Sequence, residues 1–186
     1  NLFKRIFKKR IKIIFPILLT SILLGLFIYS GYKIRVDNGL KGVLFVLGIC
    51  IFSDIGGYIV GKSIGGKKLT KISPNKTISG SVGSFLFSLF PIVIVSIYDS
   101  VQIFEYIILF CLFISLACQL GDLIISYFKR LAKVKDTGTI LPGHGGMLDR
   151  IDGIIFGILF FYIIRNVLWK KKLQYSVQQD QLVSQL

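Results

Sequence analysis

Two stretches of this chain carry no charged side chain for long enough to cross a lipid bilayer as a helix. They are residues 13–32, with 20 residues, and residues 77–98, with 22 residues. A helix needs about 20 apolar residues to cross a bilayer, where its backbone must satisfy its own hydrogen bonds. Three weaker segments, at 40–60, 101–128 and 151–169, are apolar except for two charges each. The pattern predicts an all-α, polytopic membrane bundle of about five to six transmembrane helices.

Composition supports this fold class. The mean hydropathy is +0.73 and the net charge is +14, a combination typical of membrane proteins with basic loops. The basic residues lie between the apolar segments and form no separate basic domain, so we expect no nucleic-acid partner. Residues 1–172 are predicted to form one integral membrane domain. The polar, Gln-rich residues 173–186 are predicted to be a disordered tail.

The distribution of Lys and Arg predicts an orientation. With the N-terminus in the cytoplasm, 16 of the 23 basic residues lie on the inner side and seven on the outer side. The positive-inside rule favours this arrangement, which places loops 62–76 and 129–150 on the same cytoplasmic face. The Lys run at 170–172 falls on the outer side and disagrees with the rule. A break near Gly121 in the long 101–128 segment would move that run inside.

Two carboxylates lie within apolar segments, at Asp54 and Asp122. An acid in such a setting usually has a partner or a function, and an ion pair with a Lys of a neighbouring helix is the simplest alternative. Asp122, Ser126, Lys129 and Arg130 are spaced to share one face of a helix. An acid, a hydroxyl and two cations in one stripe suit a metal-bound phosphate group. A helix end running into basic flanking residues would explain the cations but not the acid.

The sequence PGHGGMLDRID at 142–152 is the second polar element. Its glycines permit tight turns and a close approach of the backbone to a ligand. Asp149 and Asp152 follow at the start of an apolar segment, where helix capping is the alternative to metal binding. Arg150 is a candidate to bind phosphate. His144 is a candidate phosphate donor or acid–base group, and a structural role in the turn is equally compatible.

The third element runs from residue 55 to residue 80 and combines glycines with lysines. Five glycines fall within the eleven residues 56–66, and five lysines lie in 62–76. We interpret this part as a mobile cationic loop. It lacks the order of a Walker A motif. Ser73, Lys76 and Thr77 lie in a Ser-Pro-Asn-Lys-Thr turn directly before the 77–98 segment, where backbone amides at a helix start favour anions.

Together these elements resemble the signature of the phosphatidate cytidylyltransferase family, also called CDP-diacylglycerol synthases. Thirteen fixed positions match over the 27 residues 126–152, namely Ser126, Lys129, Arg130, Lys135, Asp136, Pro142, Gly143, His144, Gly145, Gly146, Asp149, Arg150 and Asp152. The run from Asp54 to Lys62 and the turn at 73–77 are also similar to that family. The chain differs at Asn75, where many members have Lys, and at Ser79, where many have Glu.

The resemblance implies a cytidylyltransferase that joins CTP and phosphatidate to give CDP-diacylglycerol and diphosphate, with Mg²⁺ as cofactor and a second cation left open. It implies that Asp122 and Asp149 bind the metal, with Asp54 as a further candidate. Catalysis is assigned to Asp122, Ser126, Lys129 and Asp149. The residues assigned to substrate phosphates are Ser73, Lys76, Thr77, Arg130, Lys135, His144 and Arg150.

The resemblance also implies a place in the cell and a partner state. We expect an integral protein of a bacterial inner membrane, in contact with the lipid bilayer, whose active site faces the cytoplasm. A homodimer is left open. Family members usually have further N-terminal helices, so we expect this chain to lack some of them.

Three other functions are compatible with parts of the sequence. A CTP-dependent membrane lipid kinase or a CDP-archaeol-type synthase would use a similar polar site on another lipid. A kinase would release CDP instead of diphosphate. An ion-conducting transporter would use Asp54 and Asp122 to line its path, but it leaves the 142–152 element unexplained.

Overall fold

The computed structural model describes residues 2–70, 73–98, 104–131 and 151–167, and it describes side chains within 18–70, 73–94, 107–131 and 151–167. These residues form α1 (Leu2–Ile64), α2 (Ile78–Phe87), α3 (Phe90–Tyr98), α4 (Phe104–Leu131) and α5 (residues 151–167). Within these ranges there is no β-strand, only an isolated bridge between Lys68 and Thr77. The predicted all-α class is therefore confirmed for this part of the chain. The tail at 173–186 lies outside it.

Helix α1 reverses direction at Gly39. This residue has φ 69° and ψ −167°, which lie outside the helical region and favour glycine. A Cβ atom placed on Gly42 would lie 3.7 Å from Ile34 Cγ2. In a straight helix, residues eight positions apart are separated by about 12 Å along the axis. The two limbs of α1 therefore fold back on each other, and they contain the predicted segments 13–32 and 40–60.

The predicted single segment 77–98 is wrong in one respect, because it is divided into α2 and α3. Leu89 N donates to Leu86 O at 3.3 Å and Ile92 N donates to Leu89 O at 3.0 Å, so the bonds there span three residues. Pro91 has no N–H to continue an α-helical ladder, and its ring disfavours a helix directly before it. The break before Pro91 is the physical reason for the two short helices.

The predicted alternative of a break near Gly121 is also wrong, since α4 continues through this residue to Leu131. A Cβ atom on Gly121 would lie 2.5 Å from the ring of Phe156 in α5. The glycine is used for close packing between two helices, and the backbone hydrogen bonds of α4 do not need to break there.

Two helical segments in the described part are long and apolar enough to cross a membrane, by length and composition alone. They are Leu18–Ile64, with 47 residues, and Ile107–Leu131, with 25 residues. The first contains the reversal at Gly39. The number of about five to six transmembrane helices stays a prediction.

Glycines of α1 face α2 and bring the two helices close together. A Cβ atom on Gly56 would lie 2.5 Å from the carbonyl oxygen of Gly83, and one on Gly83 would lie 2.5 Å from Val60 Cβ. Small residues permit such packing in apolar surroundings. The interpretation of the glycine-rich stretch as a loop is therefore wrong for Gly56 and Gly61, which are helical. Beyond the helix end, Gly65 and Gly66 have positive φ.

The apolar core lies where both limbs of α1 meet α4 and α5. Ile34, Ile49 and Ile114 are almost completely buried, and Phe161 joins the same cluster. This core holds together the helices that carry the polar side chains of the bundle.

Candidate active site

Asp122 lies at the centre of the polar contacts between the helices. Its carboxylate forms an ion pair with Lys76, which lies directly before α2. It also accepts a hydrogen bond of 3.2 Å from Ser126 Oγ, one turn later in α4. The predicted sharing of one helical face by Asp122 and Ser126 is confirmed by this contact. The ion pair with a Lys of another segment, considered above as the simple alternative, is also present.

A cavity of about 330 Å³ lies beside this ion pair, between α1, α2, α4 and the segment that precedes α2. It brings together Asp54 of α1, Lys76 and Asp122. Its full lining consists of Asp54, Gly57, Tyr58, Leu69, Ser73, Asn75, Lys76, Thr77, Gly80, Ser81, Ser84, Gln119 and Asp122. Two carboxylates and an ammonium facing one cavity can bind cations and anionic ligands together.

Backbone hydrogen bonds on both sides of Lys76 fix its position. Its N–H donates to Ser73 O at 3.1 Å, which closes a turn around Pro74, and its carbonyl accepts from Leu69 N at 2.8 Å. Thr77 is the N-cap of α2, where its hydroxyl accepts from Gly80 N at 3.1 Å. The cap stabilises the start of α2 beside the cavity, because its hydroxyl accepts from a backbone N–H that has no partner within the helix.

The Ser at position 79 joins the start of α2 to the end of α1. Its hydroxyl donates to Gly65 O at 2.5 Å and lies 3.0 Å from Thr77 Oγ1. A short hydroxyl fits between these two groups. Ser79 thus holds the start of α2 against the residues that follow α1.

Lys129 forms an ion pair with a residue of α5 and lies outside the cavity lining. Its Nζ is 3.5 Å from Asp152 Oδ2, and both side chains are about nine-tenths buried, with 12% exposure each. Asp152 Oδ1 also accepts from Gly153 N at 2.8 Å. This buried pair joins the last turn of α4 to the first turn of α5. Arg130 is exposed in the last turn of α4.

A third ion pair connects α5 to α1 at the opposite end of α5. Arg165 Nη1 of α5 donates to Asp37 Oδ2 at 2.7 Å, next to the reversal of α1. Tyr29 and Tyr162 pack edge to face nearby, with ring centroids 5.8 Å apart. The contacts of Lys76 and Lys129 therefore mark one end of the described bundle, and the Asp37–Arg165 pair marks the other.

The predicted site residues fall into three groups. Asp54, Ser73, Lys76, Thr77 and Asp122 line the cavity together. Ser126, Lys129 and Arg130 lie further along α4. The remaining predicted residues lie outside the described part of the chain: Lys135, His144, Asp149 and Arg150.

Sequence reasoning missed several neutral polar residues in the cavity lining, chiefly Ser81, Ser84 and Gln119. Gln119 precedes Asp122 by three positions, so helical spacing places the two on neighbouring parts of one face. That spacing was the signal in the sequence. The α2 serines gave no comparable signal, because serines are common in apolar helices.

The donor set near Asp122 fits a hard divalent cation in its chemistry. Asp54 and Asp122 supply carboxylate oxygens to one cavity, and Mg²⁺ is usually held by one or two carboxylates together with substrate phosphates and water. Within the described ranges, no group of three or more His, Cys, Asp or Glu side chains is arranged to hold a metal ion. The second predicted metal ligand, Asp149, lies outside those ranges.

Comparisons with known proteins agree on one family. Residues 2–168 match the model of the cytidylyltransferase family. Phosphatidate cytidylyltransferase of Bacillus subtilis (strain 168) is 40% identical over 152 residues, which is 80% of this chain and 56% of that protein. The Helicobacter pylori (strain J99) protein of the same name is 36% identical over 153 residues, covering 79% and 56%. The chain spans about half the length of the curated relatives it matches.

Proposed function

Because the chain belongs to the cytidylyltransferase family, we propose that it transfers the cytidylyl group of CTP to phosphatidate, giving CDP-diacylglycerol and diphosphate. The observation that carries this proposal is the convergence of Asp54, Asp122 and Lys76 on one cavity. A reaction between two anions needs charges of both signs in one place. Carboxylates hold a cation, and basic side chains bind phosphate oxygens.

In the proposed reaction, a phosphate oxygen of phosphatidate attacks the α-phosphorus of CTP, and the bond to diphosphate breaks. Such transfers depend mainly on positioning and on neutralisation of charge. Lys76 is positioned by its turn to bind a phosphate oxygen once its contact with Asp122 is exchanged. Thr77 and the amides at the start of α2 lie beside it and add neutral donors.

Mg²⁺ is the proposed cofactor, and Asp54 and Asp122 are the described residues that would hold it, together with Asp149. When bound, a divalent cation would neutralise phosphate charge and favour the departure of diphosphate. Ser126 donates to Asp122 and so orients its carboxylate. We also assign Ser73, Arg130, Lys135, His144 and Arg150 to substrate phosphates. Lys129, whose ammonium pairs with Asp152, is a further proposed catalytic residue.

We further propose that the chain is integral to a bacterial inner membrane with its cavity facing the cytoplasm. The apolar segments support insertion, and the basic residues of loop 62–76 support the orientation. A cavity beside the membrane surface suits a reaction between a water-soluble nucleotide and a lipid, since the lipid tails can stay in the bilayer. A homodimer is compatible with this arrangement.

The direct test supplies the purified chain with radiolabelled CTP, phosphatidate and Mg²⁺ in mixed micelles. We expect a labelled liponucleotide and one diphosphate for each CTP consumed, and no product after chelation of the metal. Release of CDP with a phosphorylated lipid would identify a lipid kinase instead. Ion flux across liposomes without consumption of CTP would identify a transporter.

A further inference from the structure

The cavity has two chemically different parts. One part is the Lys76–Asp122 ion pair, and the other presents the neutral side chains of Ser81, Ser84 and Gln119, while Asp54 lines the same cavity from α1. The charged part suits phosphate and a cation. The neutral part has no charge to offer a phosphate, so it fits a different portion of a ligand, one that uses uncharged hydrogen bonds.

A chain of hydrogen bonds across three helices fixes the amide of Gln119. Its Oε1 accepts from Ser81 Oγ of α2, and its Nε2 donates to Ser115 Oγ of α4 at 3.3 Å. Ser115 Oγ in turn lies 2.7 Å from Ser53 Oγ of α1, and both of these serines are fully buried. A primary amide has two N–H groups. The described contacts use one of them, and the other belongs to a side chain that lines the cavity.

Ser81, Ser84 and Gln119 lie further from the cytoplasmic end of the bundle than the Lys76–Asp122 ion pair. Gln119 precedes Asp122 by three residues in α4, which is a rise of about 4.5 Å along the helix axis. Ser81 and Ser84 lie correspondingly further into α2 than Lys76 and Thr77. A ligand whose phosphate meets Asp122 and Lys76 would therefore place its neighbouring, membrane-side atoms at Gln119.

We propose that Gln119, oriented by Ser81 and Ser115, binds an ester carbonyl of the lipid substrate and so determines a preference for ester-linked lipids. This inference rests on the proposed function, because it takes the lipid phosphate to the charged part of the cavity. In a phosphatidate, the glycerol backbone joins that phosphate to the two ester groups on the side of the acyl chains. Ester carbonyls accept hydrogen bonds, and the amide N–H donates one.

The same neutral chemistry is present in the nucleotide, whose ribose hydroxyls and base also accept hydrogen bonds. The position of Gln119 on the membrane side favours the lipid as the source. The experiment therefore compares two pairs of ligands: diester phosphatidate with its diether analogue, and CTP with 2′-deoxy-CTP. Each pair differs only in the groups that the neutral part could bind.

The first measurement is equilibrium binding of the two lipids to the purified full chain in micelles, without nucleotide. We expect the parental chain to bind the diester more tightly than the diether by about 3- to 10-fold, the effect of one neutral hydrogen bond. Gln119→Met should remove this difference by weakening diester binding alone. The same loss should appear in the KM for diester phosphatidate, with the KM for CTP unchanged.

Two further variants make the outcome decisive. Ser81→Ala removes the hydroxyl that orients the amide while leaving the buried Ser53–Ser115 contact, and it should reduce the ester preference even if Gln119→Met fails to fold. Ser88→Ala is the matched control, since this buried α2-end hydroxyl bonds Phe85 O at 2.7 Å and lies outside the cavity lining. It should keep the parental preference.

Equal binding of diester and diether by the parental chain would overturn the inference. A change in discrimination between CTP and 2′-deoxy-CTP in Gln119→Met, with the ester preference retained, would also overturn it and assign the neutral part to the nucleotide. Failure of the proposed function is distinguishable, because it would abolish liponucleotide formation by the parental chain, whereas ester preference is read from lipid binding alone.

Discussion

At the scale of single residues, Asp122 combines three properties that the other described acids do not share. It lines the cavity, it pairs with Lys76, and it accepts from Ser126. Asp54 lines the same space from α1, whereas Asp152 is buried against Lys129 and Asp37 pairs with Arg165 at the far end. Their environments therefore make Asp122 the leading candidate for a catalytic carboxylate, whereas Asp152 and Asp37 have structural ion pairs.

We expect Asp122→Asn to lower kcat for liponucleotide formation by about 10²- to 10³-fold, because loss of one stabilising charge in a transition state has effects of this size. The measurement is the rate at saturating CTP and phosphatidate. Asp37→Asn is the matched control, since it removes an acid from an ion pair at the opposite end of the bundle. Equal rates for Asp122→Asn and the parental chain would contradict the assignment of Asp122.

At the scale of helices, the contact between α1 and α2 depends on residues without side chains. We expect Gly83→Ala to destabilise the protein by about 1–3 kcal/mol, because its new Cβ atom would overlap Val60 and the carbonyl oxygen of Gly56. The measurement is thermal unfolding in detergent.

Gly25→Ala provides the comparison for Gly83→Ala. A Cβ atom at Gly25 would meet nothing within 4 Å, and Ala is favoured over Gly in helices by up to about 1 kcal/mol. This variant should be as stable as the parental chain or more stable. If both substitutions had the same effect, close glycine packing between α1 and α2 would not hold the two helices together.

The packing of α1 on α4 can be tested through two thiols. Cys50 Sγ and Cys118 Sγ lie 2.9 Å apart in the core, and Gly157 of α5 leaves room for them. We expect a membrane-permeant oxidant such as iodine to remove one hydrogen from each thiol and join them, giving an internal disulfide. Mass spectrometry should show the loss of two hydrogens and a peptide that links the two helices.

The third cysteine, Cys111, supplies the control for this cross-link. It is buried two turns before Cys118 in the same helix. Cys111→Ser should cross-link like the parental chain, and Cys118→Ser should not. A cross-link from Cys50 to Cys111 in place of Cys118 would show that the register of α4 against α1 is different.

The sequence predicted local features of this architecture better than contacts between helices. Helical spacing placed Ser126 beside Asp122, because residues four apart share a face. Pro91 carried a signal for the break between α2 and α3 that the uniform apolar character of 77–98 concealed. Neither spacing nor composition could show that Lys76 meets Asp122, since that contact depends on how α1, α2 and α4 pack.

At the scale of the whole molecule, ionic contacts separate two ends of the bundle. Lys76 with Asp122 and Lys129 with Asp152 lie towards one end, and Asp37 with Arg165 lies at the other. The described basic residues Lys62, Lys67, Lys68, Lys76 and Lys129, all assigned to the inner side, lie towards the end with the cavity. If catalysis takes place at that end, soluble nucleotide can reach the cavity from one side of the membrane. Lipid can then contact the apolar flanks of the helices.

This arrangement predicts the sidedness of two exposed positions, Asn38 beside the reversal of α1 and Lys68 beyond its end. The limb of α1 between them, residues 40–64, is about 37 Å long as a helix, enough to separate the two sides of a bilayer. In a background without the three native cysteines, Asn38→Cys should react with a membrane-impermeant maleimide on intact cells.

Lys68→Cys should react with the same reagent only after the membrane is permeabilised, because in the proposed orientation the basic connection before α2 faces the cytoplasm. Detergent-solubilised protein should react at both positions, which controls for the intrinsic reactivity of each thiol. Labelling of Lys68→Cys alone on intact cells would show that the orientation is the reverse of the proposed one. The cavity would then face away from cytoplasmic CTP. Labelling of both positions from one side would mean that residues 40–64 do not cross the membrane at all.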